Sequence, residues 1–245
     1  MDPAHTIRDA IAQVFALRAK AAEEPGLGQA VSAIKRLQAQ RFHGSYADLL
    51  QSAAYGAASR FFLDELYGER DYSERDSQFA RIAGSLATVL PAPVVGTTVA
   101  LAQLHALTEA LDHAMALQWL HLRQQTPASE TEAYVLAWRA VGRQAERQLQ
   151  LDGVMQLGSQ LVGLTRKPGL STLLKLMRRP AAAAGLASLQ QFLETGFGIF
   201  RTLARADHQA QVFLDTIAQR ESAWLETMFD GPAAAQALAR LTSAR

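Results

Sequence analysis

Alanine and leucine together fill 80 of the 245 positions, and the β-branched aliphatics valine and isoleucine only 17. Ala and Leu are strong helix formers, whereas strands draw on β-branched side chains. That imbalance argues against a β-rich fold or a parallel α/β sheet and leaves an all-α chain. Hydrophobic residues make up 49% and charged residues 19%, which separates the chain from disordered sequences. It is long enough to bury a core without disulfide or metal staples.

Helical periodicity and its breaks set the expected organisation. Ile7, Ile11, Val14 and Phe15 recur at helical spacing between Pro3 and Glu23, and Pro25-Gly26 stops that helix. A second helix runs to about Phe42. Ser45 is placed to cap a third, from Tyr46 to Tyr67. A fourth ends near Leu90, and Pro91-Ala92-Pro93 separates it from a fifth that reaches Gln125. Ser129 and Glu132 have the spacing of a capping box, which starts a sixth helix read as continuing to Asp152-Gly153 or on to Leu164. After a basic connector, one long helix or a broken pair follows Pro180 to about Phe229, and Gly231-Pro232 precedes a short tail helix. Short loops between long helices imply antiparallel neighbours. The expected fold is a single-domain bundle of about six to eight helices, with an N-terminal hairpin over 1–44, a main bundle over 45–229 and a tail helix over 230–245.

Several function classes fall away. Cysteine is absent, which removes disulfides, thiolate metal sites and cysteine nucleophiles and fits a cytoplasmic location. A net charge of +1 gives no global drive towards nucleic acid, and none is expected as a partner. The opening MDPAHTIRDA lacks the basic-then-apolar order of a secretory signal. The stretch from Ile82 to Thr108 has no Asp, Glu, Lys or Arg, but Pro91 and Pro93 make it the end of one helix and the start of the next rather than a membrane span. No P-loop, Rossmann glycine pattern, His-Glu-x-x-His or Gly-x-Ser-x-Gly occurs. The balance leans away from an enzyme.

Polar residues on apolar helix faces are the informative positions. Tyr46, Leu50, Ala53, Ala57 and Phe61 form one stripe, and Asp64 falls within it. Arg75 lies one turn before Phe79 on the inner face of the next helix, so Asp64 and Arg75 are expected to pair, since an unpaired buried charge is costly. In LHALTEALDHAMALQWLH, Leu104, Leu107, Leu111, Met115 and Trp119 form the apolar face. His105, Glu109 and Asp112 lie at i, i+4 and i+7 and share its flank. Such a flank suits a metal or ligand as well as a plain surface interaction. Metal-binding carboxylate bundles favour Glu-x-x-His on two helices, and that motif is missing. His113 and His121 read as surface residues. In the last long helix Asp207 sits on the apolar face, and Glu221 lies about 21 Å further along, too far for one site and better suited to an Arg on another helix. The connector carries Arg166, Lys167, Lys175, Arg178 and Arg179, with no acidic residue between Asp152 and Glu194. A basic amphipathic segment of this kind docks on membranes or acidic partners when it is not simply solvated.

The segment FFLDELYGERDYSERDSQFARI (Phe61 to Ile82), with LHALTEALD (Leu104 to Asp112), resembles an uncharacterised family of proteobacterial proteins, a domain of unknown function. The resemblance implies a helical cytoplasmic protein and says nothing of chemistry. It coincides with the face analysis at Asp64, Arg75, His105 and Asp112, which lie inside these two segments; Asp76 lies there as well, though the face analysis does not single it out.

Three functions stay open at this point. The first is a non-enzymatic binding or interaction domain that holds a small apolar ligand or a protein partner, with Trp119, Trp138, Trp224, Phe61 and Phe62 as candidate wall residues. The second is a metal- or haem-binding bundle using His105 and Asp112 with Glu109, Asp64 or Asp207. The third is a peripheral membrane or scaffold protein using the basic segment 166–179. A homodimer is compatible with each, and the cofactor is unknown.

Overall fold

Every regular element among the described residues is an α-helix. The computed structural model describes residues 2–66, 72–89, 91–125, 128–205, 208–231 and 233–243. The first helices are α1 (Pro3–Glu23), α2 (Leu27–Ser45), α3 (Ala47–Gln51), α4 (Gly56–Leu66) and α5 (Ser73–Val89). The middle of the chain forms α6 (Ala92–Gln125), α7 (Glu130–Val141) and α8 (Gln144–Thr165). Then come α9 (Leu170–Leu176), α10 (Arg178–Ala183), α11 (Ala187–Leu203), α12 (Gln209–Asp230) and α13 (Ala234–Ser243).

The all-α expectation is met, but thirteen helices among the described residues replace the expected six to eight. The excess comes from local backbone chemistry that breaks long periodic stretches. The Ser52 hydroxyl accepts hydrogen bonds from the backbone N–H groups of Ala54 (3.2 Å) and Tyr55 (3.3 Å). This local bonding competes with helix continuation and splits Tyr46–Tyr67 into α3 and α4. Ser45 belongs to the last turn of α2 and caps nothing. Gly142 (φ 62°) and Arg143 (φ 51°) enter the left-handed region, so the expected sixth helix becomes α7 and α8. Its start is as expected. Ser129 Oγ accepts from the Glu132 backbone N–H at 3.2 Å, while Glu132 accepts from the Ser129 N–H at 2.9 Å.

The long helix α6 is the axis of the fold and packs against α1, α2, α5, α7 and α8. By length and composition it is the one described helix apolar enough to cross a membrane. Here it buries Leu104, Leu111 and Met115 against its neighbours, together with two carboxylates, Glu109 and Asp112. Around it lie two large apolar clusters. One joins α2, α6, α7, α12 and α13 through Leu27, Ile34, Tyr134, Trp138 and Met228. The other joins α1, α5, α6 and α11 through Ile7, Ile11, Phe79, Ala102 and Leu189. Gln78 fastens α5 to α11, because its buried side-chain oxygen accepts the Leu189 N–H in the first turn of α11 at 2.9 Å.

The tail helix α13 packs on α2 and α7. Gly44 makes the α2 contact possible. A Cβ built there would overlap the carbonyl oxygen of Leu241, a backbone atom that can yield only by moving α13. Gly44→Ala is therefore expected to lower the unfolding free energy by about 1–3 kcal/mol, the usual range for forced overpacking. Hydrogen exchange in residues 234–243 should rise before the rest of the chain. Unchanged protection there would show that α13 is not held by this approach.

Candidate functional site

One face of α2 carries Lys35, Gln38 and Arg41 at three-residue spacing, so all three point the same way. Each meets a group on another helix. Lys35 Nζ lies 2.6 Å from Glu109 Oε1, and Gln38 donates to Asp112 Oδ1 at 2.9 Å, both on α6. Arg41 spans both oxygens of Glu221 on α12, at 2.5 and 2.9 Å, and Tyr46 donates to the same carboxylate at 2.6 Å. The expectation that Glu221 meets an Arg on another helix is met.

A second set adjoins this row. Asp76, only 3% exposed, starts from the first turn of α5. Its Oδ2 is 3.0 Å from His105 Nε2 and 3.0 Å from Arg18 Nη2. Arg18 also reaches Glu109 at 3.4 Å, which joins the two sets. Arg75 approaches Asp76 at 3.7 Å, bonds Glu65 at 3.2 Å and lies over the rings of Tyr72 and Phe192. All of these groups but Arg18 border a polar cavity of about 60 Å³, room for ordered water. Gln38 separates it from a second small cavity of about 80 Å³, which Arg41, Tyr134, Trp138 and Arg147 border.

The environment sets the charge states. Burial alone would push the Asp76 carboxyl up, but the hydrogen bond and charge of His105, with Arg18 and Arg75, hold it below the ordinary carboxylate range. Glu109 is likewise opposed by burial and held low by Lys35, Arg18 and His105. Asp112 differs. Burial dominates there, and Lys35, Arg147 and Gln38 do not offset it, so its carboxyl is raised.

The structure thus brings Arg75, His105, Glu109 and Asp112 together, and two predicted partners drop out. Asp64 is exposed on α4, and its expected pairing with Arg75 does not form. The stripe from Tyr46 to Phe61 assumed one continuous helix, and the break at Ser52–Tyr55 resets the rotational phase, so Asp64 turns outward and Glu65 takes the guanidinium. Asp207 lies outside the described residues. His113 is half-buried rather than on the surface, its Nδ1 has no hydrogen-bond partner among the described residues, and burial lowers its pKa. Arg18, Lys35 and Gln38 were missed. Lys-x-x-Gln-x-x-Arg on a helix whose inner face holds Ile34 and Leu37 was the available signal. Among the described residues no cluster of three His, Asp or Glu can hold a metal; Asp76 Oδ2, Glu109 Oε1 and Asp112 Oδ1 are directed at cations or an amide instead. The metal reading of His105 with Asp112 is not supported by this geometry.

Beside the polar set is a very different space. A cavity of about 490 Å³ lies between α4, α5, α6, α8 and α11, roofed by α9 and α10. Phe61, Phe62, Leu157, Leu161, Phe197 and Phe200 are among its walls, so two of the five candidate wall aromatics line this cavity. Trp138 and Trp224 line the 80 Å³ cavity instead, and Trp119 packs in the core. Phe79, Leu101, Leu189 and Phe192 border both the apolar space and the polar cavity, a partition one side chain thick. Arg166, Lys167, Lys175, Arg178 and Arg179 are exposed on or beside the roof, and Arg178 pairs with Glu194 at 2.7 Å.

A family model described as Domain of unknown function (DUF8198) matches residues 17–235. The chain belongs to this family. No curated protein and no solved structure matches it. The DUF8198 region spans the whole polar set, from Arg18 to Glu221, and every wall of the apolar cavity.

The two kinds of carboxyl have opposite linkage to folding. Asp76 and Glu109 bind fewer protons folded than unfolded, so their contribution is present above the ordinary carboxylate range and lost as pH falls through their lowered values. Asp112 keeps its proton longer when folded, so its contribution is present in acid and lost as pH rises through its raised value. Asp76→Asn should cost about 3 kcal/mol at neutral pH, the scale for breaking a buried pair, and much less in acid. Asp112→Asn should be neutral or stabilising at neutral pH. Urea unfolding of both variants at neutral and acidic pH checks this; a large loss for Asp112→Asn at neutral pH would mean that Asp112 is ionised in the fold.

Proposed function

We propose that this protein binds a small apolar molecule in the cavity between α5, α6, α8 and α11, beneath α9 and α10. The observation that carries the reading is the cavity itself, whose volume of about 490 Å³ falls in the range of small-molecule sites, about 300–1,000 Å³. The space opens to solvent, so water meets its apolar walls, and apolar surface left in water costs about 25 cal/mol per Å². Water is a poor filler, because the polar groups on the walls are already engaged. Thr97 and Thr98 donate to carbonyls one turn back, and the Gln190 amide donates to Leu174 O and Glu194. An apolar occupant relieves that cost without needing hydrogen bonds.

The roof suits such a role. Its edges are held by polar bonds: Arg81 on α5 donates to the carbonyls of Ala184 (3.2 Å) and Gly185 (2.5 Å), and Arg201 on α11 donates to Ser171 Oγ at 2.9 Å. Its underside, with Leu173, Leu174 and Met177, faces the cavity. The roof is therefore anchored at its rim by polar bonds and from below by Leu170, Leu173 and Leu174 packing near Leu164 and Phe197.

The test is saturable binding of the neutral dye N-phenylnaphthylamine to the full chain. One site per chain is expected, and dye at a hundredfold excess over Kd should raise the unfolding free energy by about 2.7 kcal/mol. Leu161→Trp on α8 and Leu173→Trp on α9 fill the space from two helices. Each should weaken binding at least about tenfold, a loss of about 1.4 kcal/mol, with unchanged circular dichroism. Dye binding indifferent to both substitutions would count against the cavity.

A further inference from the structure

The helices that roof the cavity have a second face. While Leu173, Leu174 and Met177 turn inward, Lys175, Leu176, Arg178 and Arg179 are exposed, and Arg166 and Lys167 lie just before α9, also exposed. Leu176 is 69% exposed, the highest value among the exposed large hydrophobic residues. No acidic residue occurs between Asp152 and Glu194, and Glu194 is occupied by Arg178. Arg166, Lys167, Lys175 and Arg179 make no ion pair among the described residues. Leu176 thus stands among five cations that share one nearby carboxylate, Glu194, a setting poorly suited to water alone.

We propose that the outer face of α9 and α10 docks on an anionic lipid surface. Charge complementarity supplies the attraction: cations on flexible stems reach phosphate-bearing headgroups without a fixed geometry. Leu176 supplies the apolar contact, entering the boundary between headgroups and acyl chains as the exposed leucines of interfacial helices do. The face is short and its charges sit on long flexible stems, so it matches a continuous fluid surface better than a shaped protein partner. This inference concerns the outside of the roof, and it does not require the cavity beneath to be filled.

Co-sedimentation of the full chain with vesicles tests it. One set is phosphatidylcholine alone, and the other is phosphatidylcholine mixed with phosphatidylserine. Binding is expected only to the mixed vesicles and should fall as salt is raised. Each cation removed should weaken partition about fivefold, so Lys175→Glu with Arg179→Glu should lower it by about 25-fold or more. Leu176→Ser should also weaken binding without changing its salt dependence. Arg240→Glu, on α13 against α2 and α7, is the control for a single charge reversal away from this face and should bind like the parent. All of these side chains are exposed, and circular dichroism verifies folding. A parent chain that ignores the mixed vesicles, binds neutral ones equally, or is unaffected by the double reversal overturns the inference. Failure here with intact dye binding would leave the cavity reading standing, and the reverse holds as well.

Discussion

The row of contacts from α2, Lys35 to Glu109, Gln38 to Asp112 and Arg41 to Glu221, fixes how this bundle is assembled. Apolar helices rich in Ala and Leu pack in many registers at similar energy, because small and flexible side chains fit one another loosely. Buried charges do not. Rotating α2 by one residue turns each of these groups through about 100° and leaves a cation or a carboxylate unpaired in the core. Such pairs add little net stability compared with apolar packing, but mispairing is heavily penalised, so they select one arrangement. The row ties α2 to the axial helix α6 and to α12, and Arg18 and Asp76 extend the same logic to α1 and α5.

With one side of the molecule fixed by charge, the other side is built almost without it. Phe79, Leu101, Leu189 and Phe192 separate the ionic set from the large apolar cavity. The Arg75 guanidinium over the Phe192 ring joins the two environments through that partition. The contrast bears on function. The ionic groups are largely paired with one another around small cavities, whereas the large space is walled mainly by apolar side chains. The proposed apolar ligand belongs in the apolar space, and the polar set holds the walls in position.

How much of this was legible in the sequence depends on how local the cause was. Composition and the breaks at Pro25-Gly26, Pro91 and Ser129 carried the all-α class and most helix starts, because capping and proline effects act within a few residues. The breaks at Ser52–Tyr55 and at Gly142-Arg143 were not foreseen, since apolar periodicity runs across both. That error moved Asp64 from the interior to the surface. His105, Glu109 and Asp112 were readable as one flank because they share an uninterrupted helix. Their partners Lys35 and Arg18 were not, because which helices neighbour α6 is a tertiary fact. The cavity was the least legible feature, since it is a space between helices that are each ordinary in sequence.

The most direct measurement on the central claim, a cavity that takes an apolar molecule, is native mass spectrometry of the untagged full chain purified without detergent, followed by organic extraction. The account predicts one adduct per chain that extraction releases as an apolar small molecule, and Leu161→Trp should carry less of it. A chain that shows no adduct, together with water resolved throughout the space between α8 and α11 at high resolution, would contradict it.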